Sequence, residues 1–113
     1  MHEFSLAQNV VEIVEEAVTS HNASRATLVV IEIGKLSGVE IEAFKTAMEA
    51  LQPGTLMEGA EIDYDIKEGL AKCQKCGSSF SANNLFTPCP DCGTYHSDIV
   101  QGKELLVKSL TAE

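Results

Sequence analysis

Most of what marks a catalyst, a secreted protein or a membrane protein is missing from this chain. Outside residues 73–92 there is no cysteine, the whole chain has three histidines, and no glycine-rich loop is built to cradle a phosphate. Ser5, Ser37 and Ser109 lack the context of a nucleophile elbow. With no paired acid and base and no activated nucleophile, an enzyme is not expected. No apolar run is long enough to span a bilayer, and neither a lipidation signal nor a secretory leader is recognisable, so a cytoplasmic location is the expectation. Internal repeats and low-complexity tracts are absent too. Basic residues are few: 17 acidic side chains stand against 8 basic ones, giving a net charge of −9. That balance repels nucleic-acid phosphates and anionic membrane surfaces, so neither is expected as a partner.

What is present is concentrated. All four cysteines fall in one constellation, Cys73-x-x-Cys76 and Cys89-x-x-Cys92, with twelve residues between the two motifs. Two thiolates three residues apart can face one metal, and each pair is followed by a glycine, Gly77 or Gly93, that accepts the positive φ of a tight knuckle. Pro88 and Pro90 flank the third cysteine and stiffen its loop. Four thiolates leave no position for water, so the spacing predicts a closed, structural Zn(II) site. Two disulfides, a thioredoxin-like redox pair and a redox-switched zinc site are the competing readings. The first conflicts with the missing leader, and the second with the fact that neither motif opens a helix after a buried strand. Many zinc ribbons bind nucleic acid, but charges within 70–98 sum to zero, Lys72 and Lys75 against Asp91 and Asp98, and arginine is absent there.

At 113 residues and 44% hydrophobic, the chain can bury an ordinary core. Leu6, Val10, Ile13, Val14, Ala17 and Val18 repeat at helical spacing, with Glu12, Glu15 and Glu16 opposite. Ser5 and Gln8 are placed to cap the start of this helix, and His21 and Asn22 to end it, His21 as a cap or surface residue. Residues 26–34 (ATLVVIEIG) read as a central strand covered on both faces. Ser37 to Glu40 reads as a second capping box, followed by a helix carrying Ile41, Phe44, Ala47, Met48 and Leu51 that Pro53-Gly54 terminates. Residues 60–67 alternate apolar and acidic side chains as a half-buried strand does, and the strand-helix-strand order implies a parallel pair. Residues 103–110 read as a third strand, with helix the rival. The fold expected is α+β: two helices packed on a three-stranded mixed sheet, with an inserted four-cysteine zinc-ribbon module. Its domains would be 1–69 with 102–113, and a ribbon at 70–101, joined at Gly69 and Gly102, which look like flexible joints.

The N-terminus, Met1-His2-Glu3, holds one further pattern. A free amine, the amide nitrogen of residue 2 and the His2 imidazole can close fused chelate rings on one ion, a planar nitrogen-rich set that suits Ni(II) or Cu(II), and Glu3 can add a carboxylate or another amide nitrogen. Taken alone the pattern is weak, because a histidine after the initiator is usually incidental.

MHEFSLAQNVVEIVEE at the start, VVIEIGKLSGVEIEAFKTAMEAL followed by GTLMEGAEI, the knuckles CQKCG and CPDCG, and GKELLVKSL near the end together resemble the HypA/HybF family of nickel metallochaperones for hydrogenase maturation. The resemblance runs through essentially the whole chain in order. It implies a nickel-binding α/β domain carrying a zinc ribbon. Ni(II) cargo would be held at the N-terminus by His2, with support from Glu3 and the Met1 amine, and structural Zn(II) by Cys73, Cys76, Cys89 and Cys92. Some members add an acidic ligand at the head of the second helix, where this chain has Glu40, although a capping role accounts for that residue equally. His96, four residues past the last cysteine, is read as a surface histidine. The implied partners are the GTPase HypB and the precursor of a [NiFe]-hydrogenase large subunit, with some members also serving urease, and the protein itself a monomer or homodimer. A zinc-ribbon interaction module without a second metal is the alternative function.

Overall fold

The computed structural model describes residues 2–113. Elements run in the order α1 (His2–Ser20), β1 (Ala26–Gly34), α2 (Ile41–Leu51), β2 (Glu61–Lys67), β3 (Leu70–Cys73), β4 (Ser79–Ser81), β5 (Ser97–Gln101) and β6 (Leu105–Ala112). They form two sheets of three strands, ordered β2-β1-β6 and β4-β3-β5. The chain divides into two compact units, one of Met1–Glu32, Val39–Asp65 and Leu106–Glu113, the other of Ile33–Gly38 and Ile66–Leu105.

In the first unit α1 buries Ala7, Val10, Val11, Val14 and Val18. The apolar stripe is therefore rotated from the expected one, and Ile13 stays 54% exposed while Val11 turns inward. Glu15, expected on the solvent face, is half-buried because its carboxylate accepts the Leu56 amide at 3.1 Å. The helix also starts earlier than Ser5. Glu3 lies in its first turn, where a carboxylate complements the helix dipole, and Ser5 lies inside the helix, not at its start. At the other end the predicted stop holds: the His21 ring lies 2.9 Å from the Ala17 carbonyl, and Asn22 takes a left-handed φ of 55°.

The second helix covers the expected residues, but its cap is one the sequence pattern misassigned. Gly38 turns the chain at φ 81°, which removes Ser37 from the helix end, and Glu40 is itself the N-cap, its carboxylate accepting from Ala43 N at 3.4 Å. Phe44 is fully buried and meets Tyr64 edge-on, with ring centroids 6.5 Å apart. Burial, with Glu49 nearby, pushes the Tyr64 phenol up to about 12.

Hydrogen bonds at the strand ends establish a mixed sheet. Arg25 and Glu113 exchange both backbone bonds and Gly34 N donates to Glu104 O, which makes β6 antiparallel to β1. Lys35 N, just past the C-terminal end of β1, donates to the O of Lys67, the last residue of β2, as parallel neighbours require. Residues 105–112 are thus a strand, and the helical rival is excluded.

Gly69 and Gly102 sit where backbones crowd one another. A Cβ placed on Gly69 would lie 2.3 Å from the Ala82 carbonyl oxygen, one on Gly102 would lie 2.8 Å from Gly69 Cα, and one on Gly34 would lie 1.9 Å from the Gly102 oxygen. Three backbones approach too closely for any side chain, which is the physical demand for glycine here.

Candidate metal centre

Cys73 closes β3, and the chain turns at once through Gln74 and Lys75 to Cys76 and Gly77. Gly77 N returns to Cys73 O at 3.0 Å, while Cys73 N donates to Ser78 O at 2.8 Å. The second motif repeats the pattern: Gly93 N bonds Cys89 O at 2.8 Å and Cys89 N bonds Thr94 O at 2.9 Å. Both glycines sit at positive φ, 77° and 74°, as their position after each motif required. The two knuckles are thus built by the same pair of backbone hydrogen bonds, and each presents one buried cysteine, Cys73 or Cys89, and one exposed, Cys76 or Cys92.

The four sulfurs all lie within 4.8 Å of one another. Cys73 and Cys92 sulfurs are 3.6 Å apart, as are those of Cys76 and Cys89. A tetrahedron with metal–sulfur bonds of about 2.3 Å has edges of about 3.8 Å, so the geometry suits one tetrahedral ion such as zinc. All four cysteines are free, and their sulfurs are too far apart for disulfides.

Backbone amides prepare the thiolates. The Cys76 amide, 3.5 Å from the Cys73 sulfur, is the leading reason that thiol is lowered to about 6. Cys76 is lowered chiefly by the Ser78 hydroxyl and then by the Ser78 amide. At Cys92 the Thr94 amide pulls downward but is outweighed by the Cys73, Cys89 and Cys76 thiols and by burial, which push it up to about 11. Four sulfurs this close cannot all ionise without a cation between them. Across β3 and β5, Cys73 is in register with Ser97, whose buried hydroxyl has no partner. A charged sulfur at Cys73 would lie on that hydroxyl's side of the sheet, which again fits a metal-loaded centre.

Among the described residues the four cysteines are the one set of three or more metal-ligating side chains gathered together. His96 is exposed and outside it. His2 is exposed at the first turn of α1. The structure brings Glu3 to Glu40, whose amide donates to Glu3 Oε2 at 3.2 Å and is the first cause of the lowered Glu3 pKa. Met1, the expected source of the amine ligand, lies outside the described residues.

The sequence reading missed Ser78 and Asp91. Ser78 Oγ donates to Asp91 Oδ2 at 2.5 Å, joining one knuckle to the other. The only signal was position: Ser78 follows the first knuckle glycine, and Asp91 sits between the third and fourth cysteines.

Comparison with known proteins gives one consistent result. The family described as "Hydrogenase/urease nickel incorporation, metallochaperone, hypA" matches residues 1–112. The hydrogenase maturation factor HypA of Geobacter sulfurreducens is 46% identical over 113 residues, covering 100% of both chains. That of Parabacteroides distasonis is 44% identical over 110 residues, 97% of this chain and 96% of its own. Among solved structures, the nickel metallochaperone HypA of Helicobacter pylori superposes with a TM-score of 0.69 at 25% identity, over 97% of this chain and 96% of that one. A second HypA solution structure gives 0.74 at 26% identity, over 100% of this chain and 97% of that one.

Proposed function

Because the chain belongs to the HypA family of hydrogenase/urease nickel-incorporation metallochaperones, which are maturation factors and not enzymes, we propose that it takes Ni(II) at its N-terminus through His2 and passes it on during [NiFe]-hydrogenase maturation. Zn(II) in the four-cysteine centre would be structural, held by Cys73, Cys76, Cys89 and Cys92, and would supply a fixed, closed cross-link.

The observation that carries the nickel reading is the placement of His2 at the exposed start of α1. The first four amides of a helix have no carbonyl one turn earlier to bond. The amide nitrogens of residues 2 and 3 can therefore lose their protons to a metal without breaking the helical ladder. The helix dipole opposes a bare cation at this end, but deprotonated amides and the Glu3 carboxylate reverse the local charge. Glu3 Oε2 accepts the Glu40 amide, which leaves Oε1 and the backbone nitrogen of Glu3 as the donors it can offer an ion. An exposed site with few protein ligands suits cargo that must be handed over, whereas four thiolates suit an ion that stays.

Within this reading residues 1–69 and 102–113 form the nickel-binding domain and 70–101 the zinc ribbon. The GTPase HypB and the hydrogenase large-subunit precursor are the partners, the protein is a monomer or homodimer, and delivery is cytoplasmic. No helix among the described residues is long and apolar enough to cross a membrane.

The test is calorimetric Ni(II) titration of zinc-loaded protein with its authentic Met1 terminus, beside the His2→Ala variant and a form with one residue added before Met1. Stoichiometric binding that both changes abolish is expected. Equal binding in all three moves the site elsewhere, and no binding in any leaves a zinc-ribbon interaction module.

A further inference from the structure

The two knuckles have the same internal hydrogen bonds, yet one side-chain hydrogen bond outside the thiols breaks their symmetry. Ser78 follows the first knuckle and Asp91 lies inside the second, and the Ser78 hydroxyl reaches Asp91 Oδ2 at 2.5 Å. We propose that Ser78 and Asp91 are positioning residues of the metal centre, a latch that holds the Cys73-Cys76 knuckle against the Cys89-Cys92 knuckle and slows release of the ion. The proposal rests on the reading of the cysteine centre as a zinc site.

The residues and distance carry the argument. Each knuckle is internally closed by its own backbone bonds, Gly77 N to Cys73 O and Gly93 N to Cys89 O. These bonds leave the separation of the knuckles to other contacts. Thiol contacts such as Cys73 to Cys92 cross the gap, and so does the hydrogen bond from Ser78 to Asp91. Its length is that of a hydroxyl donating to a carboxylate, the stronger, charge-assisted class.

The serine has a single hydroxyl proton, and the Asp91 carboxylate accepts it. Removing Ser78 Oγ or the Asp91 carboxylate therefore removes the same hydrogen bond, so the effects of the two changes should not add. Groups of this kind around a bound metal change its affinity about 10- to 100-fold.

The experiment uses the full chain loaded with zinc, and transfer of the ion to a chromogenic chelator in excess is timed for the native protein, Ser78→Ala, Asp91→Ala, the double variant, Ser78→Thr and Asp91→Asn. Asp91→Ala is expected to release zinc about tenfold faster. Ser78→Ala should be at least as fast, and the double variant no faster than Ser78→Ala. Ser78→Thr keeps the hydroxyl and should stay near the native rate. Asp91→Asn keeps a neutral acceptor and the side-chain shape, should fall between native and Asp91→Ala, and covers the case in which the alanine variants fail to fold. A native release rate in Asp91→Ala, or the same fold-change from Asp91→Ala with and without the Ser78 hydroxyl, overturns the latch. Native protein that retains no zinc overturns the zinc reading instead, and the metal content measured beforehand separates the two failures.

Discussion

Stripping the ion from the four-cysteine centre should unfold residues 70–101 and leave the helical unit folded. In the ribbon segment the buried side chains are Ala71, Cys73, Ala82 and Cys89, and two of these four are metal ligands. The remaining two contribute one methyl each, together ~2 kcal/mol of apolar burial. A structural zinc ion contributes roughly 10–16 kcal/mol of apparent binding free energy to a small domain at neutral pH, so the ion outweighs the ribbon's own core several-fold. The helical unit is the reverse case. Val14, Val18, Val29, Ile31, Phe44, Met48 and Met57 are its fully buried side chains, at least seven of them, and none is a ligand. Their burial is worth roughly 10–20 kcal/mol in total. Hydrogen exchange followed by mass spectrometry, before and after removal of the metal by excess chelator, reads both outcomes at once. Amides of β3 and β5 should lose their protection entirely, while those of α2 and the body of β1 keep theirs. A metal-free protein whose ribbon stays protected would refute the reasoning, and so would loss of protection in α2 in step with the ribbon.

Metal affinity should rise with pH through the neutral range, because Cys92, pushed up to about 11 by its neighbouring thiols, must surrender its proton on binding; chelator competition at pH 6 and pH 8 giving one affinity would contradict this. Phe44→Ala should cost about 3–5 kcal/mol in denaturant unfolding of the helical unit, since the ring is fully buried against Tyr64, and a loss below about 1 kcal/mol would mean the cavity collapses far more than the packing suggests. The Glu3 carboxylate is held below its ordinary value of 4.5, first by the Glu40 amide, so the tie between the helix starts is fully present above that value and is lost as pH falls through the lower folded one. The Glu40 amide resonance should follow this titration and stop responding in Glu3→Gln; a midpoint at or above 4.5 would show that the bond does not form in solution.

Elements with a strong period were legible in the chain. The second helix and its terminator at Pro53-Gly54, the apolar central strand and the alternating strand of residues 61–67 follow from side-chain spacing alone, because burial on one face demands that spacing. Helix starts were not. Ser5 and Ser37 satisfy the capping pattern, yet α1 begins before Ser5 and Glu40 caps α2, since the choice depends on which carboxylate reaches which free amide. The rotation of α1 that exposes Ile13 and buries Val11 was likewise invisible, because a helix of valines offers several apolar stripes and packing selects among them.

The amino-acid sequence by itself determined the donor set of the candidate metal centre: four cysteines in two knuckles, each followed by its glycine. It also determined the net charge of −9. Only the tertiary structure decided that Glu3 meets Glu40, residues 37 apart in the chain, and that Ser78 meets Asp91, 13 apart. It alone also showed that Gly34, Gly69 and Gly102 are glycines because their backbones nearly touch. Local pattern encodes what a residue can do to its near neighbours, whereas a contact across a gap in the chain exists only once packing has brought two distant backbones together.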